Sequence, residues 1–179
     1  MPKNLYILTG SLRKNSYSST IAKELANMLT EFRVHFADWS DLPIYNQDLD
    51  DNPPQEWTAF RNELKTAEAF LFVTPEYNRG IPGGLKNAID IGSRPMVDSI
   101  WNGKPCGIVS VSPGKTGGYG ANHQLRSVCT VLNMPTLQQP EAYLSIAGQI
   151  DDTGKLTDNN TRNYLKKFAA DFADFVNKF

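Results

Sequence analysis

The chain has 179 residues, 40% of them hydrophobic and 21% charged, with a formal net charge of −1, enough to build one domain with a full core. No run approaches the roughly 20 apolar residues of a membrane-spanning helix, and the opening MPKNLYILTG lacks the charged-then-apolar pattern of a secretion leader. Lys and Arg are scattered rather than clustered, which speaks against nucleic acid as a partner and against membrane insertion. Cys106 and Cys129 are the two cysteines and neither sits in a CxxC pair. They read as buried free thiols in a reducing compartment, so a cytoplasmic location is expected.

Strand-like and helix-like runs alternate along the chain, which predicts a parallel sheet covered on both faces. The first strand is expected over residues 5–9, then the loop GSLRKNSYS (residues 10–18), then a helix over 18–31 with Ile21, Leu25, Met28 and Phe32 on one face. A second strand over 33–37 leads to SDLPIYNQDLDDNPPQ, residues 40–55, a loop long enough to be functional or a lid. Helix two is expected over 56–66, with Trp57, Phe60 and Leu64 inward, and strand three over 69–74, apolar throughout as a central parallel strand is. PEYNRGIPGGLKNAID follows as residues 75–90, with helix three over 83–92. Strand four is expected over 105–112, followed by the glycine-rich PGKTGGYG and a helix over 121–132 with Leu125, Val128 and Leu132 inward. Strand five lies within 136–145. The last helix, over 161–178, presents Leu165, Phe168, Phe172, Phe175, Val176 and Phe179. Five strands and five helices in strict alternation predict an α/β fold, a doubly wound sheet in a single domain spanning residues 1–179.

Two loops carry chemistry. The first, after strand one, holds four hydroxyls (Ser11, Ser16, Tyr17, Ser18), Arg13 and Lys14, and no carboxylate. A strand that ends in such a loop and starts a helix aims backbone N–H groups and a positive dipole at an anion, and a guanidinium completes a phosphate cradle. A helix cap with a solvated Arg reads equally well from this loop alone. The second loop, Pro75-Glu76-Tyr77-Asn78 after strand three, supplies a proline-shaped wall. In an open α/β sheet the ligand lies beyond the carboxyl ends of the strands where their order reverses. For a five-stranded parallel sheet of order 2-1-3-4-5 that point lies between strands one and three, so both loops converge on one crevice.

These motifs resemble those of the NADPH-dependent FMN reductase family, flavodoxin-like proteins that include bacterial quinone, chromate and azo-dye reductases. The resemblance runs from Leu5 to about Glu141. The family's GSxRxxSxN is matched by Gly10, Ser11, Arg13 and Ser16, with Ser18 in place of the Asn. Its PEYN followed by PGxLKNAID is met by Pro75, Glu76, Tyr77 and Asn78, then by Pro82, Gly83, Leu85, Lys86, Asn87, Ala88, Ile89 and Asp90. Ile91 stands where many members carry Trp. The resemblance implies a flavodoxin-like three-layer sandwich that binds FMN non-covalently, its phosphate on residues 11–18. Ser11, Arg13, Ser16, Tyr17, Ser18, Pro75, Glu76, Tyr77, Asn78, Arg79, Ser112 and Gly114 are the expected cofactor-binding residues. The Pro75–Asn78 backbone is expected along the isoalloxazine, and Gly114, Gly117 and Gly118 let the other loop approach closely. NAD(P)H is implied as co-substrate in ping-pong exchange with a small-molecule acceptor: a quinone, azo compound, free flavin or metal oxyanion such as chromate. The cofactor carries that chemistry, so no catalytic side chain and no metal is expected.

The remaining constellations are weaker. No GxGxxG follows strand one, Val109 stands where a Walker A loop ending at Gly114-Lys115-Thr116 needs Gly, and Ser11–Ser18 lacks the cysteine of a small tyrosine phosphatase. A receiver domain needs an aspartate where Val73-Thr74 stands. Asp48, Asp50 and Asp51 read as a solvated acidic loop. His123 heads helix four and is open to a functional or a surface role. Arg79 is a candidate for a dinucleotide phosphate or for a surface or dimer contact. Relatives form homodimers or homotetramers, and Met96, Ile100 and Trp101 suit either a partner subunit or local packing. An acidic flavodoxin-type electron carrier and a flavin-binding protein without turnover are the rival readings; the net charge of −1 counts against the first.

Overall fold

A computed structural model describes residues 1–179. Five parallel strands form one sheet in the order β2-β1-β3-β4-β5: β1 (Asn4–Thr9), β2 (Arg33–Phe36), β3 (Ala69–Thr74), β4 (Cys106–Ser112) and β5 (Ala142–Ser145). The helices between them are α1 (Tyr17–Met28), α2 (Gln55–Leu64), α3 (Gly83–Gly92), α4 (Tyr119–Val131) and α5 (Asn159–Val176). Strand β3 is central, and each of its residues is buried. It pairs with β1 from Leu5↔Ala69 to Thr9↔Val73 and with β4 from Phe70↔Cys106 to Thr74↔Ser110.

Because strand residues alternate between faces, the sheet divides the core in two. Leu5, Ile7, Leu71 and Val73 face α1 and α5, where they meet Ile21, Leu25, Leu165, Phe168 and Phe172. Tyr6, Leu8, Phe70 and Phe72 face α2, α3 and α4, where they meet Trp57, Phe60, Leu85, Ile89 and Leu125. Helix boundaries follow their caps. Asp158 accepts from Thr161 N–H and starts α5 two residues before the expected position. Gly118, at φ 80°, turns the chain into α4 at Tyr119 rather than at residue 121.

Three expectations change. Ile100 and Trp101 belong to the core rather than to a partner surface. The Trp101 indole lies against Gly92, where a Cβ would come within 2.6 Å of the ring, and it donates to Ile89 O at 2.9 Å. Of that stretch Met96 is exposed, together with Val97. Phe179 is exposed as well, because α5 ends at Val176 and its apolar stripe ends with it. In α4, Leu125 is fully buried while Val128 and Leu132 pack at the margin.

The 40–55 segment is stitched down rather than free. Pro43 O accepts from Trp57 Nε1 at 3.0 Å and from Asn87 Nδ2 at 3.1 Å, and Asn87 Oδ1 accepts from Tyr45 N–H at 2.8 Å. A turn of 3-10 helix, Gln47–Leu49, follows. Cys106 and Cys129 are both buried, their sulfurs 3.7 Å apart across β4 and α4. The thiol of Cys106 beside it, together with burial, pushes the Cys129 thiol well above its ordinary range, which makes it inert.

Asn87 is the single side chain that ties this segment to α3. Asn87→Ala removes two part-buried hydrogen bonds, from Tyr45 N–H and to Pro43 O, so urea denaturation is expected to show a loss of about 1–3 kcal/mol with unchanged slope. A loss below about 0.5 kcal/mol would show that the loop is held by packing alone.

Candidate functional site

The loops after β1, β3 and β4 meet at the carboxyl edge of the sheet. Gly10 N–H donates to Val73 O at 2.8 Å, and a Cβ at Gly10 would lie 2.3 Å from Thr74 Oγ1. Only glycine lets the first loop leave β1 this close to β3. Ser11 Oγ then accepts from Arg13 N–H at 3.2 Å and lies 3.1 Å from Tyr77 OH, joining the first loop to the second. Ser16 caps α1, its Oγ accepting from Ser19 N–H at 3.0 Å and lying 3.1 Å from Ser18 Oγ. The N–H groups of Lys14, Asn15, Tyr17 and Ser18 have no acceptor in the protein. They are the orphan donors of a loop and a helix start, at the positive end of α1.

A cavity of about 180 Å³ opens between the three loops. Ser11, Arg13, Ser16, Tyr17 and Ser18 form its first wall, Pro75, Glu76 and Tyr77 its second, and Val111, Ser112 and Pro113 its third. Nine of the twelve expected site residues line it directly, and the other three, Asn78, Arg79 and Gly114, lie within two residues of the lining along the chain. Gly114 lies just outside it; its N–H donates to Ser112 Oγ at 3.0 Å in a tight turn.

Asn78 and Arg79 do not line the cavity. They form the two central residues of a tight hairpin in which Tyr77 and Gly80 exchange backbone hydrogen bonds of 3.0 and 2.9 Å. Both have left-handed backbone, φ 52° and 67°. Asn tolerates that region, whereas Arg there is strained. The Arg79 guanidinium is largely exposed and reaches back to Glu76 Oε1 at 3.2 Å.

The Glu76 carboxylate itself is committed elsewhere: Oε2 accepts from Ala121 N–H at 3.2 Å in the first turn of α4. Glu76 therefore offers the cavity its backbone, while its side chain neutralises the positive end of a helix. Gly120 makes this fit possible, since a Cβ there would lie 2.7 Å from Arg79 O and 2.8 Å from Glu76 Oε2. Gln124 Oε1 adds a hydrogen bond from Ile81 N–H at 2.9 Å.

Sequence reasoning missed these supporting residues. Gly120 and Gln124 had no motif to announce them. Asn122 had a signal, a polar residue between the inward positions of α4. It is fully buried, donating to Ala142 O at 3.2 Å and accepting from Arg126 Nε at 3.0 Å. Thr74 also contributes, its hydroxyl donating to Pro75 O at 2.8 Å at the exit of β3. His123 stands one turn inside α4, its Nε2 2.9 Å from Tyr143 OH. No group of three or more His, Cys, Asp or Glu side chains is placed to hold a metal ion.

The crevice thus presents hydroxyls, free N–H groups and one guanidinium at one end, and a proline-stiffened wall at the other. Such a site can grip a phosphate and lay a flat ring along backbone. The model of the NADPH-dependent FMN reductase family matches residues 4–149. A quinone reductase of Pseudomonas putida is 48% identical over 173 residues, 95% of this chain and 92% of that protein. A 2-hydroxy-1,4-benzoquinone reductase of a Burkholderia species is 39% identical over 98% of this chain and 97% of its own. Among solved structures, a flavoenzyme NAD(P)H:(acceptor) oxidoreductase from Paracoccus denitrificans superposes with a TM-score of 0.90 at 33% identity, covering 98% of each chain.

Gly120→Ala tests the clamp between α4 and the hairpin. Alanine in a helix normally stabilises relative to glycine, but here its methyl has no room. Thermal or urea unfolding is expected to show a loss of about 1–3 kcal/mol, and a gain in stability would show that the contact yields freely.

Proposed function

Because the chain belongs to the NADPH-dependent FMN reductase family, we propose that the three-loop crevice is the FMN site of a quinone reductase. The protein is an oxidoreductase with FMN as cofactor and NAD(P)H as co-substrate. The observation that carries the placement is the convergence of the hydroxyl-rich loop, with its free N–H groups, and the Pro75–Tyr77 wall on one cavity at the switch between β1 and β3.

The donor set fits the group. Ser11, Ser16 and Ser18 hydroxyls, the unpaired N–H groups of Lys14, Asn15, Tyr17 and Ser18 and the Arg13 guanidinium hold the phosphate. The dipole of α1 adds to them. Pro75, Glu76 and Tyr77 form the wall for the ring, and the free N–H groups of Glu76 and Asn78 orient its polar edge. Ser112 and Gly114 close the other side. Tyr17 covers the phosphate end, and Arg79, held on Glu76 at the rim, is placed for a phosphate of the incoming dinucleotide. When bound, FMN supplies two-electron redox chemistry, hydride in from NAD(P)H and out to the acceptor. The chain binds, orients and excludes water, and no side chain has to transfer a proton.

Quinones are the acceptor class; azo compounds, free flavin and metal oxyanions such as chromate extend it as further proposed acceptors. The working protein is a single-domain cytoplasmic homodimer or homotetramer. No helix is long and apolar enough to cross a membrane. The near-neutral charge favours this reading over an acidic electron carrier.

The protein as purified is expected to show flavin absorbance that bleaches when NADPH or NADH is added anaerobically and returns on addition of a benzoquinone. Bound flavin indifferent to both dinucleotides would sink the reductase; a colourless protein that cannot be reconstituted with FMN would remove the cofactor assignment. Arg13→Ala is expected to weaken FMN binding by roughly 1.5–3 kcal/mol in a fluorescence titration. Unchanged affinity would take Arg13 off the phosphate.

A further inference from the structure

A second cavity, of about 410 Å³, lies between residues 13–23 and the turn 150–154 that follows β5. That volume is within the roughly 300–1,000 Å³ of ligand clefts. Arg13, Ser16 and Tyr17 line both this cavity and the three-loop one, so the two adjoin at the phosphate end of the crevice. Nothing in the binding of FMN described above uses the second.

Its far wall is a built turn. Thr20 Oγ1 donates to Gly154 O at 3.1 Å and ties that turn to α1. Within it, Asp151 Oδ1 accepts from Thr153 N–H at 2.9 Å, from Thr153 Oγ1 at 2.6 Å and from Lys155 N–H at 3.0 Å. Gly154 closes the turn at φ 81°, and a bridge between Ile150 and Leu156 holds its base.

The two walls carry opposite charge. Arg13, Lys14 and Lys23 come from the loop and α1, Asp151 and Asp152 from the turn, yet no ion pair crosses the cavity and none of the three cations is paired elsewhere. The first turn of α1 holds no acidic residue, so cations gather at the positive end of a helix, where they repel it until an anion arrives. One phosphate in the three-loop cavity accounts for Arg13. Lys14 and Lys23 line the second cavity alone, and they suit a second phosphate. Asp152 on the facing wall suits hydroxyl donors, as a carboxylate does on the ribose of a dinucleotide. Half-buried Ile150 offers a flat base an apolar surface.

We propose that this second cavity is a subsite for an adenosine 5′-phosphate group, the AMP half of FAD, so that the protein accepts FAD as well as FMN. The inference rests on the placement of FMN above and extends it. FAD is FMN with AMP joined through the phosphate, and the cavity adjoins the crevice at that phosphate. Lys14 and Lys23 meet the second phosphate, Asp152 accepts from the ribose, and Ile150 lies under the adenine. The ADP-ribose half of NAD(P)H carries the same chemistry, but its nicotinamide has to reach the ring at the other end of the crevice.

The test incubates the purified enzyme with equal excesses of FMN and FAD, washes it, and separates the flavins released by acid. FAD is expected to make up about a tenth or more of the bound flavin; a smaller share would overturn the proposal. Lys23→Glu sets a negative charge beside the second phosphate and is expected to lower the ratio of FAD to FMN about tenfold, while Lys23→Arg keeps it. Asp152→Ala is expected to lower the ratio about threefold. A ratio that moves less than twofold in both Lys23→Glu and Asp152→Ala would overturn the proposal. The Kd for FMN alone, and the KM for NADH and NADPH of the FMN-loaded variants, should stay within twofold of wild type. A rise in dinucleotide KM with an unchanged flavin ratio would give the cavity to the dinucleotide and overturn the FAD assignment. A protein that binds neither flavin would overturn the placement of FMN and this inference with it, a result distinct from binding of FMN alone.

Discussion

One short contact sets the shape of the site: the Glu76 carboxylate on the Ala121 N–H at the amino end of α4. Helix starts carry unpaired N–H groups and positive charge, so a carboxylate delivered there by the loop after the neighbouring strand β3 satisfies both at once. The hairpin that follows has to turn within two residues. It does so by placing Asn78 and Arg79 in left-handed backbone, a strained arrangement that persists because Glu76, Gly120 and Gln124 over-determine it. The wall of the crevice is therefore rigid before anything binds, which lowers the entropic cost of binding.

The sheet explains why that wall lies where it does. Its central strand is buried on both faces, between two core halves that each take alternate residues of β1 and β3. The strands converge on a carboxyl edge where β1 and β3 lie side by side, and the two loops have to cross there. Gly10 accommodates the crossing, since any side chain would meet Thr74. Buried polar groups under the loops are nearly all paired. Asn122 ties α4 to β5, Asn87 ties α3 to the 43–45 segment, and Ser16 caps α1.

Much of this was legible from residue order, and the exceptions have physical causes. Period-2 and period-3.6 patterns placed all five strands and all five helices, with errors confined to ends governed by caps such as Asp158 and Gly118. Ile100 and Trp101 were open to a surface reading because an irregular stretch has no period to tell its inside from its outside; the space above Gly92 decides it. Glu76 was legible as part of the loop that lines the cavity, but not the separate placing of its side chain. A motif names the residue, and only the approach of α4 assigns its side chain to a helix end and its backbone to the cavity.

By itself, then, the order of residues determined the layered α/β fold and the two loops that meet at the cavity. Those features are written in local periodicity and in residues adjacent along the chain. Tertiary structure decided what depends on distant segments meeting: that the 40–55 segment is stitched to α3, that the two cysteines face each other, and that His123 of α4 meets Tyr143 of β5. Such contacts join residues 20 to 45 positions apart, a range over which no sequence spacing specifies an approach. The packing of helices on the sheet sets it.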